Sequence, residues 1–135
     1  MTDDVAAGPL AGIRVLELGS FIAGPFAGQL LADLGAEVIK VEPPTGEGLR
    51  WMPPRAHGMG VTFGSLNAGK ASLALDLKKP EAQALIHALL PEVDVLVEGF
   101  RPGVMDRLGL PWATLLDAHP RLIGVSLSGF GQSGP

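Results

Sequence analysis

The sequence predicts an α/β fold built on a mostly parallel sheet with flanking helices. Three observations predict it. Short β-rich runs alternate with helical stretches in the order β-α-β-loop-β-α-β-α-β. The first β-α-β stretch has roughly the 30-residue size of a right-handed crossover unit. A run from Val93 to Val97, with Asp94 inside it, reads as a buried parallel strand that gives way at Glu98-Gly99 to a loop and a short helix. Strand, loop and helix N-terminus in succession is where open α/β sheets bind phosphate-bearing ligands.

Composition sets the outer bounds. The chain has 135 residues, 47% hydrophobic and 18% charged, which is the profile of a globular domain. A domain of this size buries roughly 68% of its unfolded surface, so a real core is possible. The net charge of -4 provides no bulk basic field for nucleic acid or an anionic membrane. Any anion site must be local, built from a few Lys and Arg. The absence of cysteine removes disulfides, thiolate chemistry and Cys-based zinc sites, and is compatible with a cytoplasmic protein. No run of about 18 apolar residues occurs, so no membrane-spanning helix is expected. Residues 1–8 are acidic at the start, lack a basic region before an apolar core, and read as a short flexible tail. The last residues, SGFGQSGP, follow a strand directly, and suggest the front part of a longer protein.

Each element has its own signal. Ile13 to Leu18 is bounded by Gly12 and Gly19 and reads as the first strand. In the helix that follows, Pro25 suits the first position and Gly35 the residue just past the end. Phe26, Leu30, Leu31 and Leu34 recur at helical spacing. Ala23, Gly24, Ala27 and Gly28 make the helix entrance small-sided, for close packing or close approach of a ligand. Glu37 to Glu42 is the second strand. Pro43 to Pro54 is a Pro- and Gly-rich loop, long enough to be functional. Val61 to Leu66 forms a helical turn, and Asn67 to Lys70 a turn that places a cation before the next strand.

Ser72 to Leu77 alternates and is less apolar than the other strands, as at a sheet edge. Pro80 starts a helix with Glu81 in its first turn and an apolar stripe of Ala82, Leu85, Ile86, Leu89 and Leu90. Pro91 ends it. After the Val93–Val97 strand, Arg107 rides on a short helix. Pro111 to Ala118 is another helix, with Leu115 and Leu116 facing inward, and Arg121 to Leu127 is the last strand.

Chemistry is harder to find. Gly19, Gly24 and Gly28 do not have the dinucleotide spacing G-x-G-x-x-G, although Glu42 stands where a ribose-binding acid would. No Walker A pattern occurs. His57, His87 and His119 lack ligand spacing, which argues against a metal. Ser126 and Ser128 have no nearby base, Asp76 and Asp94 read as strand-end hydrogen-bonding groups, and no carboxylate pair suggests acid/base work. The residues by themselves reach a phosphate-bearing ligand and no visible catalytic group.

Five blocks in order carry a resemblance: GPLAGIRVLEL, AGPFAGQLLADLGAEVIKVEPP, LNAGKASLALDLK, VLVEGFRPGVMDRLGL and SGFGQSGP. Together they resemble the N-terminal part of the family III CoA-transferases, a superfamily that includes the α-methylacyl-CoA racemases. The likeness runs from Pro9 to Pro135. It implies a Rossmann-like fold, here an incomplete large domain, with residues 9–135 as a CoA-binding segment and a full-length parent that forms an interlocked homodimer. Coenzyme A, as acyl-CoA thioester, is the implied substrate, with no metal. Carried over by position, the implied CoA contacts are Ser20, Ile22 and Ala23 after the first strand, Leu75 and Lys78 at the third, and Gly99, Phe100 and Arg101 in the following loop. Arg107 is implied to reach a phosphate, which fits the bidentate pairing of guanidinium with phosphate oxygens.

The sequence departs from the family at Pro43, where many members have Arg, at Gly99, where transferases often have Asn, and at Ala71, usually Arg. The resemblance places the transferase aspartate and the racemase histidine beyond position 135. It implies transfer of CoA between carboxylic acids through an enzyme-bound anhydride and thioester. A racemase segment, and a non-catalytic nucleotide-binding fragment, are the alternatives.

Overall fold

The structure, a computed structural model, describes residues 8–134, so the tail expected at residues 1–8 falls almost wholly outside the described residues. Seven strands and five helices are present among them. They are β1 (Arg14–Glu17), α1 (Ala23–Asp33), β2 (Glu37–Glu42), β3 (Arg55–Ala56), β4 (Met59–Gly60), α2 (Val61–Leu66), β5 (Ala71–Ala74), α3 (Pro80–Leu89), β6 (Val95–Glu98), α4 (Val104–Arg107), α5 (Trp112–Ala118) and β7 (Ile123–Ser126). Short 3-10 turns cover Gly48–Arg50 and Leu90–Glu92.

Five strands form one sheet in the order β5-β2-β1-β6-β7, every neighbouring pair parallel. Val15 pairs with Val38 on one side and Val95 on the other. The chain runs outward from β1 to β2 and β5, then returns to β6 and β7 across the starting strand. This is the doubly wound arrangement, and its switch point lies between β1 and β6. The alternating side chains of each strand feed two cores. Leu16, Leu96, Ile86, Leu90, Met105, Leu110 and Leu115 form the larger one, on the face carrying α3, α4 and α5. Val15, Val38 and Val97 meet Ala27 and Leu31 of α1 on the other face. Leu16 and Leu96 are fully buried, each contributing about 1.5–3 kcal/mol of apolar transfer.

Several local expectations need correction. Helix α1 begins at Ala23, so Pro25 is its third residue; its missing N–H falls among the first-turn donors that have no partner in any helix. Gly35 does close the helix, at φ 99°, with Gly35 N donating to Ala32 O at 2.9 Å and Ala36 N to Leu31 O at 3.0 Å. That is the Schellman pattern. Phe26, Leu30 and Leu34 are about half exposed, and Leu31 is the member of that set packed on the sheet. Leu85 is exposed, because α3 turns Ala82, Ile86 and Leu90 inward. Leu116 also faces out, at 42% exposure, since α5 is short and buries Leu115.

The strand expected at Ser72–Leu77 ends at Ala74 and lies at the sheet edge. Its remainder turns, with Lys79 N donating to Asp76 O. The stretch Arg55–Gly60 is a small hairpin with no strand signal in its sequence. Its turn residues His57 and Gly58 both have positive φ, as a two-residue hairpin loop requires.

Candidate functional site

The segments that follow β1, β2, β5 and β6 converge at one end of the sheet, around an open cleft of about 400 Å³. Leu18 to Phe21 form one wall, and the loop after β2 contributes Pro43 and Gly46 to Gly48 to another. Leu75 to Lys78 follow the edge strand. Phe100, Val104 and Leu108 close the side nearest the switch point. Apolar side chains predominate, and Lys78 is the cation among the lining residues.

Of the residues singled out in the sequence, the structure brings Ser20, Leu75, Lys78 and Phe100 together on this cleft. Ile22 and Ala23 stand exposed at the start of α1, outside the lining set. Gly99 is not required by packing: a β-carbon there would lie 3.8 Å from Gly19 Cα and 3.9 Å from Gly24 N, ordinary contact distances, so the loops after β1 and β6 run side by side with room for a β-carbon between them. Arg101 is exposed, and Arg107 folds back over Gly103, where its Nη1 would lie 3.4 Å from an added β-carbon. Neither arginine lines the cleft, although Val104 and Leu108 on either side of Arg107 do.

The small-sided entrance of α1 serves the protein's own packing. A β-carbon at Gly24 would stand 2.8 Å from Gly19 Cα. One at Gly28 would stand 2.1 Å from Glu17 Oε2. The helix must therefore be bare at both points to approach the first turn and the first strand.

Beneath the cleft lies a buried charge network that sequence reasoning missed. Glu17 is fully buried and takes two cations, Lys40 Nζ at 3.0 Å on Oε1 and Lys70 Nζ at 2.6 Å on Oε2. Lys70 also donates to Pro25 O at 2.7 Å and Asn67 Oδ1 at 3.0 Å. Lys40 donates to Gly19 O at 2.9 Å and lies 3.2 Å from Glu47 Oε2. The four charges cancel, which is the condition for burying them at all. Burial pushes the Lys70 ammonium below its usual range, against the opposing pull of Glu17.

A second group sits beside it. Arg50 grips Glu42 with Nε at 2.6 Å and Nη2 at 2.5 Å, and Ser72 Oγ donates to Glu42 at 2.7 Å. The arginine fork holds the Glu42 carboxyl down to about 2. Glu42 is thus saturated by protein groups, which removes it as a free ribose acceptor. The fork's other face lies over the Phe63 ring, 4.0 Å from its centre.

The loop after β6 has its own anchor. Glu98 is buried and accepts from Phe100 N at 2.7 Å and from Ser126 Oγ. Ser126 Oγ accepts in turn from Gln132 Nε2 at 2.7 Å. His87 Nε2 bonds to Gly109 O at 2.9 Å, Asp94 accepts from Arg14 N, and Asp76 from Lys78 N, so these polar groups have structural partners. No group of three or more His, Asp or Glu that could hold a metal is found among the described residues.

A doubly wound parallel sheet with an open cleft beyond the ends of its strands defines a Rossmann-like α/β domain. Sequence comparison gives the family: residues 10–135 match CoA-transferase family III, and the chain belongs to it. It is 52% identical over 129 residues to the succinyl-CoA–D-citramalate CoA-transferase of Chloroflexus aurantiacus, covering 94% of this chain and 32% of that protein. It is 44% identical over 135 residues to a succinate–glutarate CoA-transferase of Agrobacterium fabrum, covering 94% of this chain and 34% of that one. A crystal structure of Rv3272 from Mycobacterium tuberculosis superposes with a TM-score of 0.88 at 43% identity, over 96% of this chain and 35% of that chain. The chain thus spans about a third of the length of the relatives it matches.

Proposed function

We propose that this chain is the CoA-holding part of a CoA-transferase that moves CoA between carboxylic acids. The observation that carries the reading is the cleft at the switch point, with Lys78 at its mouth and apolar walls from Leu75 and Phe100. CoA has a flat adenine and a densely charged phosphate end. An apolar slot with a cation beside it suits both. Arg107 and Arg101 stand on the loop and helix that follow Phe100, and supply further positive charge close to that wall. The other residues of the assignment, Ser20, Ile22, Ala23 and Gly99, belong to the turn after β1, the start of α1 and the loop after β6.

The transfer step needs a carboxylate that attacks the thioester carbonyl. The acyl group passes to that carboxylate as a mixed anhydride, and CoA leaves as a thiolate. The thiolate then attacks the enzyme's own carbonyl, releasing the acid and leaving an enzyme–CoA thioester. The carboxylates beside the cleft here are poor candidates. Glu42 and Glu47 are buried, and Glu42 is locked to Arg50. Asp76 bonds to the backbone of its own turn. This agrees with the family resemblance, which implies a reacting carboxylate in the part of the relatives' length outside these 135 residues. The relatives named above are transferases of citramalate, succinate and glutarate, which favours transfer over racemisation and points to small dicarboxylic acids as acceptors.

Calorimetric titration of the chain with CoA tests this. Binding is expected, with Lys78→Ala and Arg107→Ala each weakening it about tenfold, the value of one charge-assisted hydrogen bond. Dephospho-CoA distinguishes which cation meets the 3′-phosphate. An absence of heat at millimolar CoA would sink the proposal, and unchanged binding by both variants would sink the phosphate assignments.

A further inference from the structure

Two of the cleft's walls are joined from below by one buried ammonium. Lys40 Nζ donates to Gly19 O at 2.9 Å in the turn after β1, and pairs with Glu47 Oε2 at 3.2 Å in the loop after β2. Gly19 and Glu47 both line the cleft. Lys40 and Glu47 are nearly inaccessible, so water competes little for the pair. Above this link the same two walls meet again, where Phe21 Cζ would lie 3.2 Å from a β-carbon on Gly48. Phe21 sits at φ 61°, in the left-handed region that a bulky residue enters only when its surroundings hold it there. Both contacts therefore restrain the same pair of loops.

We propose that Lys40 and Glu47 form a clamp that fixes the separation of these two walls, and that they are positioning residues for the ligand held between them. The pair touches no ligand in this scheme; it acts through Gly19, Phe21 and Gly48. Glu17 keeps the ammonium in place from the opposite side at 3.0 Å, while Lys70 neutralises the remainder of Glu17. The clamp stands on β1 and β2 at its foot; its other end is the loop carrying Glu47, which Glu47 N and the Arg50 fork also tie to Glu42. The ligand part of the inference rests on reading the cleft as the CoA site. The restraint itself does not.

The test uses Glu47→Ala, which removes the ion pair yet leaves Lys40 bonded to Glu17 and Gly19, and Glu47→Gln, which keeps the side chain's volume without its charge. Two readouts are taken: CoA affinity by calorimetry, and amide hydrogen exchange at Gly46, Arg50 and Trp51, whose N–H groups are bonded within the loop. Glu47→Ala is expected to weaken CoA about tenfold and to speed exchange at those amides while β6 and β7 stay protected. Glu47→Gln, which lacks the charge, should resemble Glu47→Ala in both; wild-type behaviour in Glu47→Gln would show that the ion pair does not carry the restraint. Wild-type exchange and wild-type affinity in Glu47→Ala would overturn the clamp. So would exchange that rises uniformly across the sheet with affinity unchanged, since that is a loss of global stability alone. Failure of the wild-type chain to bind CoA would remove the ligand reading, and local exchange would still decide for or against the restraint.

Discussion

Replacing Gly28 with Ala should destabilise the protein, although Ala is the better helix former. In an unobstructed helix the change stabilises by about 1 kcal/mol. Here the new β-carbon would lie 2.1 Å from Glu17 Oε2 and 3.1 Å from both Glu17 Cδ and Lys70 Nζ. The overlap exceeds what a rotamer adjustment can absorb, because Glu17 is fully buried and held from both sides by Lys40 and Lys70. Either α1 withdraws from the sheet or the Lys70–Glu17 bond breaks. A charged hydrogen bond is worth about 1.5–3 kcal/mol, and a buried charge stripped of its partner costs about 3–5 kcal/mol. Set against the helix gain, the loss of the buried pair leaves a net cost of about 2–4 kcal/mol. Urea unfolding would show a lower midpoint at constant slope, and thermal unfolding a melting point lower by roughly 10 °C. Gly64→Ala in α2 is the matched control, since its β-carbon would meet only Met59 Cε, at 3.6 Å. If Gly28→Ala proved as stable as the wild type, the rigidity assigned to the Glu17 network would be wrong.

Two further outcomes are expected. The Glu42 carboxyl titrates at about 2 in the folded protein against 4.5 for an ordinary glutamate. A depressed folded value means that its stabilisation is complete above pH 4.5 and is lost as pH falls toward 2. At 1.36 kcal/mol per unit, reduced because Arg50 is partly exposed, this is about 2 kcal/mol. Glu42→Gln should be less stable at pH 7 and show a flatter acid limb between those values; an unchanged acid limb would contradict the pairing. Separately, Ile22, Phe26, Leu30 and Leu34 recur every fourth residue along α1 and are each about half exposed. The isolated chain should self-associate through this stripe, and Phe26→Lys with Leu30→Lys should shift sedimentation toward monomer. A wild-type chain that stays monomeric at high concentration, with a sharp cooperative melt, would refute this.

The sheet was legible because its strands are bounded by glycine, proline or charge, and because each helix carries a start or stop signal. Glu37–Glu42 and the Pro80 helix start match the structure at the residue level. Periodicity alone does not say which side of a helical stripe is covered, which is why Leu85 and Leu116 face solvent. The hairpin at Arg55–Gly60 was hidden because its turn is His-Gly, where Asn-Gly or Asp-Gly gives the stronger signal. One wall of the cleft could be placed from the succession of strand, loop and helix N-terminus after Val97, since ligands collect beyond the ends of parallel strands. The charge network could not. Lys40 and Glu42 look like the polar positions of an alternating strand, and Glu47 and Lys70 lie in separate loops. One signal was available: EVIKVE belongs to a parallel sheet, such sheets are covered on both faces, and charged residues inside a covered strand require partners.

The position of β1 in the sheet also bears on how the chain is made. Among the strands of this sheet it is the first to be synthesised, yet it sits at the centre, and one of its neighbours comes roughly eighty positions later, at the separation of Arg14 from Asp94. At about 5–20 residues per second, the flank that β6 will cover stays open for on the order of ten seconds during synthesis. In that interval Val15, Leu16 and Glu17 have β2 on one side and nothing on the other. Parallel pairing across such a gap is slow by nature, because the intervening loop must be closed before any contact rewards it. The central strand is therefore the segment through which a nascent or truncated chain is most open to chaperone capture, and where premature termination before Val95 would be felt first.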